Sequence, residues 1–149
     1  MTGFKELEVK RVIATIKIWA KQQPKICAVA LVGSWAKAKN QAHENSDIDL
    51  MFLTPRPELF FSDTVWFHSI PWDLNLNVDR YYDRTYGVVK SRHLYFSQGQ
   101  RIEFSFGYLN WANTDPIDPG TLKVVGSGME IIYDRDQLLM ALKEKAMQP

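Results

Sequence analysis

The stretch Asp47-Ile48-Asp49-Leu50-Met51-Phe52-Leu53-Thr54 alternates acidic and apolar residues, then turns apolar until Pro55 and Pro57 close it. This segment reads as a strand. Strand side chains alternate, so Asp47 and Asp49 share one face with Cα atoms ~6.5–7 Å apart. Ile48, Leu50 and Phe52 point to the other face. Two like charges on one face repel unless something cationic sits between them. Hard oxygen donors suit Mg²⁺, which takes one or two carboxylates together with substrate phosphates. An Asp-x-Asp pair alone also fits a solvated strand edge. Here Met51, Phe52 and Leu53 mark the strand as buried just beyond the acids, and a charged pair in such a place needs a reason.

The rest of the chain supplies partners for this strand. Val9, Val12, Ile13, Ile16 and Ala20 follow helical spacing, so a helix is expected from about Gly3 to Gln23, stopped by Pro24. Residues 25–32, Lys-Ile-Cys-Ala-Val-Ala-Leu-Val, form a second buried strand, broken at Gly33-Ser34. Ala36 to Lys39 starts a short helix, and Asn40 to Ser46 reads as a polar loop. Glu58 to Ile70 is read as helical, with a strand or loop through Trp72 to Val78. Tyr86 to Phe96 and Arg101 to Tyr108, joined by Ser97-Gln98-Gly99-Gln100, form a hairpin. After a loop holding Pro116, Pro119 and Gly120, a strand over Met129 to Tyr133 and a helix over Asp134 to Met147 close the chain. The expectation is an α+β fold, a mixed sheet with helices mainly on one face, in one domain spanning 1–149.

Charge sharpens the reading. Residues 1–40 carry eight Lys/Arg and two Glu, whereas 41–83 carry two Arg and eight Asp/Glu. The lysines of the first segment are spread along the expected helix, as on a solvated face, which argues against nucleic-acid binding. The acidic middle holds the Asp47–Asp49 pair. Cys27 is the one cysteine, set in an apolar run, and is read as inert. No secretory pattern opens the chain and no run approaches ~18 apolar residues, so a cytoplasmic protein without a membrane span is expected.

Two further pieces bear on chemistry. Val32-Gly33-Ser34 ends a buried strand. Glycine lets backbone approach a ligand, and the turn that follows offers N–H groups to a phosphate. A Gly-Ser pair is equally an ordinary turn. In Arg101-Ile102-Glu103-Phe104-Ser105-Phe106, the residues Ile102, Phe104 and Phe106 share the core face, and Glu103 and Ser105 share the other. Glu103 becomes a third carboxylate if this strand lies beside Asp47–Asp49. Otherwise it pairs with Arg101 or Arg92 across the hairpin. His43, His68 and His93 are read as structural.

Gly33-Ser34, twelve intervening residues and Asp47-x-Asp49 together resemble the signature of the polymerase-β-type nucleotidyltransferase superfamily, with Ser46 before the first acid and Trp35-Ala36-Lys37 after the Gly-Ser turn. Ser91-Arg92-His93 through Gly99, Glu103, Trp111-Ala112, Asp118-Pro119-Gly120-Thr121 and Ile132-Tyr133-Asp134 are similar to small stand-alone members related to aminoglycoside and lincosamide nucleotidyltransferases. The chain departs from the family in having Ala38 where glycine is frequent and Glu103 where aspartate is commoner. No helical second domain is read in it.

The resemblance implies an enzyme that moves a nucleoside monophosphate, AMP from ATP, to a hydroxyl of a small molecule. Two Mg²⁺ ions, replaceable by Mn²⁺, would be held by Asp47, Asp49 and Glu103, which are also the catalytic residues. Gly33, Ser34 and Lys37 would bind the nucleotide, with Lys90 and Arg92 as further candidates to neutralise phosphate. The partners implied are a nucleoside triphosphate, an unnamed acceptor, and a second copy of the chain or another chain that completes the site. Two alternatives stand beside this: transfer of AMP to a protein, as in antitoxin-like relatives, and a non-catalytic module that binds a nucleotide or a partner.

Overall fold

A computed structural model describes residues 3–37, 46–72 and 75–148. Ala38, the loop around His43, and Asp73 lie outside them. The first helix, α1 (Glu6–Lys21), begins where the Glu8 carboxylate accepts the Lys5 backbone N–H at 2.8 Å. It buries Val9, Val12, Ile16 and Ala20, the stripe expected from their spacing. The strands β1 (Ala28–Val32) and β2 (Ile48–Leu53) follow. The stretch expected to be one helix after Glu58 is instead a single turn, α2 (Leu59–Ser62), and a 3-10 turn over Trp66–Ser69.

Three strands come next, β3 (Val78–Tyr86), β4 (Val89–Phe96) and β5 (Arg101–Gly107). The chain closes with α3 (Pro119–Ser127), β6 (Glu130–Asp134) and α4 (Leu138–Ala146). Asp134 caps α4 with both oxygens, accepting from the N–H groups of Leu139 at 3.0 Å and Met140 at 2.8 Å.

The strands form one open sheet in the order β3-β4-β5-β2-β1-β6. Every pairing is antiparallel except β2–β5, which is parallel. The expected α+β class and mixed sheet are therefore found, with four α-helices among the described residues. Helix placement is broader than expected, because both faces carry helices. On one face α1 and the 59–69 segment pack against Leu50, Phe52, Phe104 and Phe106. On the other, α3 and α4 bring Val125, Leu139 and Leu142 onto Ala28, Ala30, Met51 and Leu53. This double burial is why β1 and β2 read as continuous apolar runs. Among the described residues no helix is long and apolar enough to cross a membrane.

Arg92 is fully buried on the first face, among Phe61, Trp66, Phe67 and Tyr81. Its Nε donates to Asp83 Oδ1 at 2.8 Å and its Nη2 to Asp83 Oδ2 at 3.1 Å, while Nη1 donates to the Asp63 carbonyl. The guanidinium thus ties the β3–β4 hairpin to the 59–69 segment. Lys90 is on that same side, over the Phe61 ring at 4.7 Å. Neither cation faces the acids of β2, so both are lost as phosphate neutralisers. Their even-numbered register on β4 decides this. Asp83→Ala would strand the buried guanidinium without a counter-charge. We expect it to cost about 3–5 kcal/mol, read as a lower urea midpoint, with ATP affinity of the folded fraction unchanged.

Candidate active site

Pairing registers assemble the site. Asp49 of β2 stands opposite Glu103 of the parallel strand β5 and opposite Val32 of β1. Residues paired in register project to the same face, so the Asp49 and Glu103 side chains emerge side by side. The carboxyl of Asp49 is pushed up to about 8, first by burial, then by the charge of Glu103 and a hydrogen bond shared with it, and then by Asp47. Asp47 lies just before β2, two residues ahead of Asp49. Burial raises its carboxyl as well, opposed by Arg101, whose Nε lies 2.7 Å from Asp47 Oδ1. The pair of aspartates therefore has a basic neighbour in Arg101. Glu103 takes neither arginine as its partner: Arg101 goes to Asp47 and Arg92 to Asp83.

The residue next to Glu103 is His93, its register partner on β4, with Nε2 3.6 Å from Glu103 Oε2. The imidazole stacks on Tyr82 at 4.6 Å between ring centroids. His93 thus stands beside the Glu103 carboxylate. Its proximity to Glu103 is legible only once the hairpin register is known.

Gly33 follows β1 with φ +73° and ψ −157°, a region essentially reserved for glycine. A Cβ here would overlap Asp49 Oδ2 and stand 3.0 Å from Asp49 Cγ. The glycine is what lets the Asp49 carboxylate lie against the main chain. A 3-10 turn over Ser34–Ala36 comes next, pinned by the Trp35 indole N–H donating to the Ser46 carbonyl at 3.3 Å. Gly33→Ala should therefore cost about 1–3 kcal/mol in backbone strain and push Asp49 aside. We expect turnover to fall much further than the loss of folded protein explains. A double-mutant cycle with Asp49→Ala checks this, because removing the carboxylate should leave only the backbone part of the stability loss.

A cleft of about 350 Å³ opens here, and Gly33, Lys37, Asp49, Glu103, Lys123 and Ser127 line it. Four of the expected site residues, Gly33, Lys37, Asp49 and Glu103, are thus brought together. Ser34 and Asp47 do not line the cleft. Lys123 and Ser127 come from α3, which the Pro/Gly loop reading concealed. The pair Asp118-Pro119 was the available signal, since Asp118 Oδ2 caps the helix by accepting the Thr121 N–H at 3.1 Å and Pro119 opens it.

Among the described residues no three acid, histidine or cysteine side chains stand together as a preformed metal cage. Mg²⁺ needs none, since it binds through one or two carboxylates with phosphate oxygens and water. The donor set suits it in kind: oxygen donors, and a crowded Asp49–Glu103 pair that a cation would relieve. Two acids beside two lysines make a cleft that can hold a polyanion and a hard cation together.

A family model described as streptomycin adenylyltransferase matches residues 8–148. Among curated proteins none matches.

Proposed function

Because the chain belongs to the streptomycin adenylyltransferase family and is a nucleotidyltransferase, we propose that it transfers AMP from ATP to a hydroxyl of a small-molecule acceptor, an antibiotic in the general case, with Mg²⁺ required. One observation carries this reading: Asp49 and Glu103 meet above Gly33 in a cleft that also holds Lys37 and Lys123.

Lys37 and Lys123 neutralise the triphosphate, and the bare backbone of Gly33 with the turn at Ser34 lets phosphate approach closely. Asp47, Asp49 and Glu103 would hold the cations, Mg²⁺ or Mn²⁺. Bound there, they supply charge stabilisation to the phosphates and acidify the acceptor hydroxyl. Glu103 takes the proton of that hydroxyl. The acceptor oxygen bonds to the α-phosphorus, the bond from the α-phosphorus to the bridging oxygen breaks, and pyrophosphate leaves. His93 holds the Glu103 carboxylate in place. The acceptor side of the cleft is completed by a second copy of the chain or by a partner chain. Tyr82, stacked on His93 and 37% exposed, supports this by offering an open aromatic surface there.

The test is incubation with α-labelled ATP, CTP, GTP and UTP, with Mg²⁺ or Mn²⁺, against aminoglycosides and lincosamides. Label should pass from ATP to an acceptor and depend on the cation. Absence of transfer from any triphosphate, or transfer undiminished by a chelator, would overturn the proposal.

A further inference from the structure

The parallel register of β2 and β5 sets charge against charge. Asp49 stands opposite Glu103, a like charge. Asp47 and Arg101 directly precede the first paired residues, Ile48 and Ile102, and so lie beside each other with opposite charges. The Arg101 Nε is 2.7 Å from Asp47 Oδ1. Residues two apart on a strand share a face, so Arg101 belongs to the face of Glu103, and Asp47 to that of Asp49. On these two strands the site face therefore carries Asp47, Asp49 and Glu103 against the single guanidinium of Arg101. Opposite charges across a strand pair stabilise it and like charges destabilise it, so one half of the cluster is compensated and the other is not. We propose that Arg101 is a built-in counter-cation, which neutralises Asp47 while the chain is without metal and competes with a divalent cation for that carboxylate. The inference rests on the reading of Asp47, Asp49 and Glu103 as the cation site.

The properties of the pair fit this role. A guanidinium keeps its charge throughout the pH range of a folded protein, so it gives way only by moving and never by losing a proton. The Arg101 side chain is 43% exposed and that of Asp47 28%, and a pair open to water is weak enough to be displaced. Arg92 makes the contrast. It is 1% exposed and held by both oxygens of Asp83, a cation locked into the fold. Removing the charge of Arg101 then has two effects of opposite sign. The three carboxylates repel one another more, which weakens the fold without metal. The same carboxylates hold a divalent cation more tightly, because Asp47 no longer has a partner to give up. A residue that only tied the two strands together would show the first effect and not the second.

The experiment reads metal affinity rather than turnover. Mn²⁺ is titrated calorimetrically, without nucleotide, into the full chain and into Arg101→Gln and Arg101→Lys, and chelator-treated samples are melted in parallel. Arg101→Gln is expected to bind Mn²⁺ about three- to sixfold tighter than the wild type, the size of a partly exposed ion pair given up. It should also melt lower than the wild type until Mn²⁺ is added. Arg101→Lys keeps the charge and should stay close to the wild type in both measurements. In an Asp47→Asn background the gain from Arg101→Gln should vanish, since the carboxylate competed for is gone. The inference is overturned if Arg101→Gln binds Mn²⁺ no tighter than the wild type, if the lysine variant gains as much, or if the gain persists beside Asp47→Asn. If neither the wild type nor Arg101→Gln binds Mn²⁺, even with ATP present, the reading of the carboxylates as the cation site fails and takes the inference with it.

Discussion

Asp49→Asn is expected to abolish transfer and, at the same time, to raise the melting temperature of the metal-free protein at pH 8. The two effects share one origin. In the fold the Asp49 carboxyl holds its proton up to about pH 8, against 3.8 for an ordinary aspartate. The stabilising contribution of that proton is complete below pH 3.8. It erodes as pH rises through the interval and is gone above about 8. Asparagine imitates the protonated carboxyl at every pH and can still donate to Glu103. Its advantage should be nil near pH 4, grow with pH, and reach on the order of 1–3 kcal/mol at pH 8. That corresponds to a rise of roughly 3–9 °C. Added Mg²⁺ should raise the wild-type melting temperature and do little for the variant. Turnover should drop about 10³-fold or more. Thermal melts between pH 4 and 8, with and without Mg²⁺, check this. A variant less stable than wild type at pH 8 would refute the crowded pair, and a variant that still turns over would refute the role of Asp49.

Glu103→Gln should leave ATP affinity nearly intact and depress kcat by about 10²–10⁴-fold, the range of a general base. Lys37, Lys123, Gly33 and Asp49 all remain to hold the nucleotide in this variant. The amide keeps the shape of the carboxylate and removes a charge next to Asp49, so the melting temperature should not fall. A Glu103 that only stabilised the sheet through His93 would give the reverse pattern, a lower melting temperature with kcat preserved. Steady-state kinetics on the acceptor identified by labelling, read as kcat against KM, separates the two.

Legibility in the sequence followed burial. The elements α1, β1, β2, the β4–β5 hairpin, β6 and α4 all bury a regular apolar set and were readable to within a few residues. By contrast, β3 is exposed along nearly its whole length, and its Asp79, Arg80, Tyr82, Asp83 and Arg84 carry no apolar alternation. Helix α3 is built from Gly120, Thr121, Val124, Val125 and Gly126, poor helix formers whose order comes from the Asp118 cap and from packing against α4. Losing α3 hid Lys123. The Asp49–Glu103 pairing depended on a strand adjacency that no local pattern specifies. Resemblance supplied the expectation, and the parallel register carries it. The cations Lys90 and Arg92 show the opposite failure. The mechanism implied by the resemblance made them candidates to neutralise phosphate, whereas one step of strand parity sends both to the far face.

The parallel pairing of β2 with β5, alone of its kind among the described residues, has a kinetic meaning. The strands β1 and β2 adjoin in sequence, and β3, β4 and β5 form a consecutive meander. Each group can assemble from nearby segments, but the β2–β5 seam joins them across the intervening chain, residues 54–77, and must wait for that closure. Asp49 and Glu103 sit on opposite sides of this seam. Repulsion between the two carboxylates therefore resists the docking of the halves, and the proton they share eases it. Refolding should accordingly be faster at pH 6 than at pH 9, and the competence to bind nucleotide should return with the slowest phase, after most secondary structure has already formed.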